Sequence, residues 1–281
     1  MAELTNYATL RYGGVTIVSN TVTGTLPDAL ILTKTPVDPA YAPGGTVTYL
    51  LSLVNPGEAE LTGLILTDDL GGYGFGEETL YPLTFTPDSL RMLVNGLPQA
   101  APAAAPGPPL VISGITVPAG GEVLLAYEAR VTEFAPLAAG QEIVNTAGIT
   151  GLPAPVTASA AVGPEASAML NIVKDLNMDS AKTPGALTFT FTIENTGNTP
   201  AAAAEAVVLE DRFQPILSGL QAARDGVPWT LGTEYAYDEA SGLFTSLPGA
   251  ITVPAAEYAR GADGAWTVAP GRTVITVTGN I

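Results

Sequence analysis

Apolar and polar residues alternate in short runs along most of this chain, and Gly, Pro or Asn closes most of the runs. A period of two places every second side chain on one face, so such runs read as half-buried strands. Residues 29–163 continue through "LRMLVNG", "LVISGITVPAGGEVLLAYEARV" and "EIVNTAGITGLPAPVTASAAV". Residues 168–281 continue through "VPWTLGTEYAYD", "GLFTS", "AITVPA" and "GAWTVAPGRTVITVTGNI". Thr and Val pervade these segments and suit strands. Ala-rich "PAAAAEAV" has no sustained helical period. Roughly seven strands at this spacing in the first half predict an immunoglobulin-like sandwich. The fold class expected is all-β.

The two halves repeat each other. "ALILTKTPVDPAYAPGGTVTYLLSLVNPG" aligns with "AMLNIVKDLNMDSAKTPGALTFTFTIENTG", so that Lys34 and Lys174, Gly45 and Gly185, and Gly57 and Gly197 are each 140 residues apart. Further on, "LILTDDL" and "VVLEDRF" pair Asp68 with Asp211. "GRTVITVTGNI" matches "GEVLLAYEARV", and nothing after it matches "EIVNTAGITGLPAPVTASAAV". The match for that piece lies at the front: Glu3, Leu4, Asn6, Ala8 and Leu10 align with Glu142, Ile143, Asn145, Ala147 and Ile149 at an offset of 139, as do Ile17 with Val156 and Thr23 with Val162.

The expected organisation is therefore an N-terminal donor hairpin (1–26), a self-complete domain 1 (29–163) and an incomplete domain 2 (168–281). Only "TLPDA" separates the hairpin from domain 1. Such a linker spans at most about 3.6 Å per residue, whereas a sandwich is roughly 20–30 Å long. The hairpin is expected to serve domain 2 of a neighbouring copy, head to tail, with Leu4, Ala8, Leu10 and Ile17 at the polymer interface. Contacts between different surfaces give open filaments unless a ring closes.

Parity also places polar groups inside. Leu30, Leu32 and Lys34 share a face, as do Leu170, Ile172 and Lys174. Asn145 shares a face with Ile143, Ala147 and Ile149, and Asn6 with Leu4, Ala8 and Leu10. Asp68 and Asp211 align with Leu66 and Leu209. A buried amine becomes a neutral nucleophile and a buried carboxyl a proton carrier. The expected product is an amide crosslink, Lys34 to Asn145 within domain 1 and Lys174 to Asn6 between molecules, with Asp68 and Asp211 as the acids. The competing reading is a satisfied buried Lys–Asp ion pair.

Charge and composition narrow the function. Ten basic and 27 acidic residues give a net charge of −17, which opposes nucleic acid and anionic membrane. Screening by salt should favour association. The chain has no Cys and no His, so a disulfide, a thiolate metal site and a His-based triad are excluded. No cofactor or metal is expected, no membrane insertion and no signal peptide. "DLNMDS" (175–180) starts like a calcium loop but lacks the central Gly and closing Glu, and reads as a strand-end turn. "GGYGFG" (71–76) reads as a turn, and "PQAAPAAAPGPP" (98–109) as an exposed extended loop. Trp229, Tyr235, Tyr237, Phe244 and Trp266 are expected in the core.

"LTKTPVDPAYAPGGTVTYLLSLVNPG", "LILTDDL" and "EIVNTAGIT", with "IVKDLNMD", "FTFTIENTG" and "VVLEDRF", resemble the conserved-repeat domain of bacterial surface proteins, long labelled a domain of unknown function. The resemblance implies an extracellular or cell-surface location (spore surface included), a tandem Ig-like sandwich and no catalytic turnover. The Lys, acid and Asn plan is similar to that of Gram-positive pilins and collagen-adhesin domains with internal isopeptide bonds. No LPxTG-like sorting signal is seen. The function expected is a structural subunit of an extracellular filament, its only chemistry an autocatalytic single turnover. An adhesin stalk or ligand-binding surface module is the alternative, and an enzyme is a third class.

Overall fold

The computed structural model describes residues 2–26, 30–179 and 185–281, and omits the side chains of residues 2–4, 12, 25, 26, 178 and 179. Strands dominate. Among the described residues the helical content is one 3-10 turn, Ala203–Glu205, and no helix is long and apolar enough to cross a membrane. The chain divides into two compact units, residues 1–136 with 142–163 and residues 137–141 with 164–281.

The N-terminal segment is a two-part hairpin of β1 (Ala2–Asn6), β2 (Thr9–Tyr12), β3 (Val15–Val18) and β4 (Val22–Leu26). Gly13 and Gly14 turn the chain at φ of 52° and 82°, a region that glycine enters without a Cβ clash. Leu10 faces Ile17, the partnership that the offset to Ile149 and Val156 implies. Leu4, however, faces Gly24 rather than Thr23. One residue is left over between Ser19 and Val22, as in a β-bulge, so the outer half is shifted by one against its counterpart. Every described side chain of the hairpin is exposed.

The rest of the first unit is built of β5 (Ile31–Pro36), β6 (Ala40–Tyr41), β7 (Thr46–Val54), β8 (Leu61–Asp68), β9 (Tyr73–Phe75), β10 (Glu78–Leu80), β11 (Leu83–Phe85), β12 (Arg91–Val94), β13 (Leu97–Gln99), β14 (Ala103–Ala105), β15 (Leu110–Val117), β16 (Glu122–Val131), β17 (Ile143–Thr150) and β18 (Val156–Pro164). One sheet has the order β13-β12-β16-β7-β5, with β11 also on β16; the other has the order β14-β15-β8-β17-β18-β6. Alternation supplies the core between them: Val47, Tyr49, Leu51 and Leu53 from β7 meet Leu64 and Leu66 from β8 and Ile143, Ala147 and Ile149 from β17, all buried. This is an Ig-like sandwich. Residues 98–109 are exposed apart from half-buried Pro102, but the end of β13 and all of β14 fall within them, because a sheet edge tolerates proline on its unpaired side. Residues 71–76, expected as a turn, are strand at their centre: β9 occupies Tyr73–Phe75 because it pairs with β10 in a short hairpin, and the turns fall on either side, at Gly71 and Gly76.

The second unit holds β19 (Leu170–Asp179), β20 (Ala186–Asn195), β21 (Glu210–Arg212), β22 (Ser218–Arg224), β23 (Val227–Pro228), β24 (Tyr235–Asp238), β25 (Leu243–Ser246), β26 (Glu257–Arg260), β27 (Trp266–Ala269) and β28 (Gly271–Asn280). The main sheet has the order β19-β20-β28-β22-β23, faced by β21-β25-β24. Residues 175–179 of "DLNMDS" are strand rather than turn, since β19 stays paired with β20 as far as Asp179 opposite Ala186; Ser180 lies outside the described residues, as does Lys182. Tyr235 and Phe244 are buried, and Trp229 and Tyr237 pack against the core. Trp266 instead lies on the β26–β27 hairpin with Arg260 stacked 4.8 Å over its ring.

Both units anchor the same turn with a buried asparagine. Asn55 donates to the carbonyls of Ala59 and Pro118 and accepts from the Gly57 amide; Asn195 does the same with Thr199, Pro254 and Gly197. The two first strands are thus held alike but covered differently. Leu30 and Leu32 are 3% and 7% exposed, whereas their counterparts Leu170 and Ile172 are 41% and 48% exposed. Leu32→Ala should therefore cost about 2–5 kcal/mol and Ile172→Ala within about 0.5 kcal/mol of nothing in the unassembled chain. Urea denaturation of each variant checks this; equal losses would contradict it.

Candidate functional site

In domain 1 four polar side chains form a line across the sandwich. Lys34 on β5 donates to Asp68 Oδ2 on β8 at 2.7 Å. The Tyr127 hydroxyl on β16 donates to the same oxygen at 2.6 Å. Asn145 on β17 donates through Nδ2 to the Tyr127 oxygen at 3.2 Å. β5 and β16 belong to one sheet, β8 and β17 to the other, so the line links both layers. Asp68 Oδ1 accepts the Leu70 amide at 3.1 Å. The side chains of Lys34 and Asp68 are fully buried, and so is Asn145.

Local sequence sets this geometry. β17 pairs with the end of β8, with Ala147 opposite Asp68, which brings Asn145 to the same edge. The approach is close at Gly71, φ 70°, where a Cβ would fall 2.5 Å from the Ile143 side chain. A larger residue there would displace the Ile143 side chain, and the positive φ would strain it besides.

The electrostatics follow from burial. Burial pushes the Lys34 pKa down from its ordinary 10.5, against the pull of Asp68. Burial also raises the pKa of Tyr127, which the negative charge of Asp68 reinforces. The Lys34 ammonium lies 4.7 Å from the centre of the Tyr49 ring. Three buried side-chain atoms among the described residues have no hydrogen-bond partner: Trp266 Nε1 in the second unit and, in this site, the Tyr49 hydroxyl and Asn145 Oδ1. An amide carbonyl buried without a donor is costly to keep, by roughly 1–3 kcal/mol. It is also the electrophile that the sequence singles out. The arrangement places an amine, an acid, a phenol and an amide on one buried hydrogen-bonded line.

In domain 2 Lys174 on β19 pairs with Asp211 Oδ2 on β21 at 2.5 Å, and Lys174 is 42% exposed at its side chain. Its ammonium lies 4.8, 5.4 and 5.5 Å from the ring centres of Phe189, Phe191 and Phe213. Asn6, Ala8, Leu10 and Ile17 are exposed, and the Leu4 side chain lies outside those described. Asn6 is exposed on β1, opposite Val22.

Sequence reasoning missed Tyr127 and Tyr49. Tyrosines at inward positions of alternating strands read as core, and nothing in the spacing distinguishes a structural hydroxyl from a working one. The signal was the repeat itself: Tyr127 faces Tyr49 across β16–β7, and at the matching place Val277 faces Phe189 across β28–β20.

No protein-family model matches the chain, and no curated protein matches it. Among solved structures it is similar to the major pilin subunit of Bacillus cereus, at 14% identity over 95% of this chain and 73% of that one, with a TM-score of 0.39. It is similar to the pilus backbone RrgB of Streptococcus pneumoniae, at 12% identity over 87% of this chain and 55% of that one, with a TM-score of 0.33. It is similar to the type II cohesin dyad of the ScaA scaffoldin of Acetivibrio cellulolyticus, at 11% identity over 89% of this chain and 84% of that one, with a TM-score of 0.24.

The titration of Lys34 is open to test in the Asn145→Ala chain, where no amide can trap it. The unfolded lysine keeps its proton up to about 10.5, and the folded one releases it at lower pH. The unfolded state then binds more protons over that window, so stability rises with pH. Above pH 10.0 the trend reverses, because Tyr49 and Tyr127 stay protonated only when folded. Urea midpoints from neutral pH to 10 should rise in Asn145→Ala and lose that rise when Lys34→Met is added.

Proposed function

We propose that this chain is a structural subunit of an extracellular, surface-borne filament, in which the N-terminal hairpin of one copy completes domain 2 of the next. One observation carries the reading. The strand that domain 1 buries under β17 and β18 is exposed in domain 2, and the counterpart of β17–β18 is an exposed hairpin with its own apolar residues uncovered. Leu170, Ile172 and Leu176 on β19 are 41%, 48% and 50% exposed; Leu10 and Ile17 on the hairpin are 62% and 46% exposed. Apolar surface on both partners is the usual driving force for association, at about 25 cal/mol per Å² buried.

The pairing of domain 1 supplies the register. Gly148 faces Thr67 and Ile149 faces Leu66 between β17 and β8. By the same repeat, Thr9 faces Glu210 and Leu10 faces Leu209 of the neighbour. Ala8 then lies beside Asp211, and Asn6 reaches the Lys174–Asp211 pair. A crosslink within domain 1 from Lys34 to Asn145, and between copies from Lys174 to Asn6, would make the filament covalent without cysteine. Each bond forms once, so the chain is a building element rather than an enzyme. The acidic surface keeps free copies apart until salt screens it.

The natural absence of cysteine gives a clean test. A chain carrying Thr9→Cys and Glu210→Cys should form a ladder of disulfide-linked multimers on oxidation, while each single variant gives at most dimers. Deleting residues 2–26 should abolish multimers. An oxidised double variant that stays monomeric, or a truncated chain that still polymerises, would overturn the reading.

A further inference from the structure

We propose that Tyr127 is a catalytic residue of the domain 1 crosslink, relaying the proton that lets ammonia leave Asn145. The inference rests on the crosslink reading of this site and adds to it the group that handles the leaving nitrogen. Two observations carry it.

The first is the position of the hydroxyl. It donates to Asp68 Oδ2 at 2.6 Å and accepts from Asn145 Nδ2 at 3.2 Å. Nδ2 is the atom that departs. The hydrogen bonds of Asp68 go to Lys34, Leu70 and Tyr127, so the hydrogen-bonded path from the acid to the leaving nitrogen runs through the phenol. The second is the repeat. The matching place in domain 2 holds Val277, buried and facing Phe189 across the same two strands. The sandwich is therefore built with an aliphatic side chain there. A buried phenol with both its donor and its acceptor engaged is not required by the fold.

The step balances as follows. Lys34 passes a proton to the Asp68 carboxylate, giving a neutral amine and a neutral acid. The amine lone pair attacks the Asn145 Cγ, and the carbonyl electrons move to Oδ1. Asp68 returns its proton to the Tyr127 hydroxyl while Tyr127 gives its own to Nδ2. The Cγ–Nδ2 bond breaks and ammonia leaves as the carbonyl re-forms. The Asp68 carboxylate takes the remaining extra proton from the new Lys34 amide nitrogen. The products are one amide bond, one ammonia, a protonated Asp68 and an unchanged Tyr127. No oxidant, metal or cofactor is consumed.

The site in domain 2 has the lysine and the acid without the hydroxyl. If Asn6 of a neighbour enters it, that bond lacks the relay and should form more slowly than the bond in domain 1. Docking would then precede locking.

The test follows the full-length chain by intact mass during timed synthesis, scoring the fraction that has lost one ammonia through Lys34 and Asn145, with the linked peptides identified after digestion. Tyr127→Phe should slow the loss by about 10²-fold, the usual worth of general acid–base catalysis at its lower end. Circular dichroism and proteolysis should be unchanged, since the ring is kept. Placing 3-fluorotyrosine at 127 keeps the shape and makes the phenol more acidic, so the rate should move in that protein too. A wild-type rate in either substituted protein overturns the proposal. A wild-type chain that never loses ammonia removes the crosslink itself, and this inference with it.

Discussion

Covering the first strand of a sandwich is the constraint on which the rest of this structure depends. In domain 1, β17 and β18 close the second sheet over β5, so Leu30, Leu32 and Lys34 leave water together. That burial creates the problem of a charged lysine in a core, where removing one member of an ion pair typically costs roughly 3–5 kcal/mol. Asp68 answers the charge, Tyr127 shares the carboxylate, and Asn145 completes the line. The same strand pair thus closes the core and delivers the amide.

Domain 2 presents the constraint unsatisfied. Its first strand carries apolar residues at the same parity, yet they stand in solvent, and Lys174 rests on three phenylalanine rings beside Asp211. An exposed strand edge is adhesive, and proteins ordinarily cover or charge it. The hairpin of β1–β4 repeats the sequence of β17–β18, and its described side chains are themselves exposed. A shared need for burial, rather than charge complementarity, is what the proposed assembly runs on; at a net charge of −17, electrostatics oppose it until screened.

Much of this was legible in the sequence, because period-two patterning and a duplication report on the backbone. Parity alone put Lys34, Asp68 and Asn145 on inward faces, and the repeat offset related Lys174 to Lys34. What was not legible depends on contacts between distant strands. Tyr127 reads as one more core aromatic until its hydroxyl is seen between Asp68 and Asn145. The one-residue slip between the two halves of the N-terminal hairpin is invisible to a constant offset, since a bulge changes pairing without changing residue type. β13 and β14 arise in a Pro- and Ala-rich stretch because a sheet edge imposes strand on a weak local preference. The acidic start of "DLNMDS" points to a turn, and ladder pairing with β20 overrides it.

Hydrogen exchange resolved along the chain tests the central claim most directly, comparing dilute low-salt protein with protein associated at higher salt. The account requires two segments to gain protection together on association: residues 2–24 of the hairpin and Leu170–Asp179 of domain 2. The β5 strand of domain 1 should be protected in both states. Association that protects neither segment, or protects the hairpin while Leu170–Asp179 exchanges as freely as before, would contradict it.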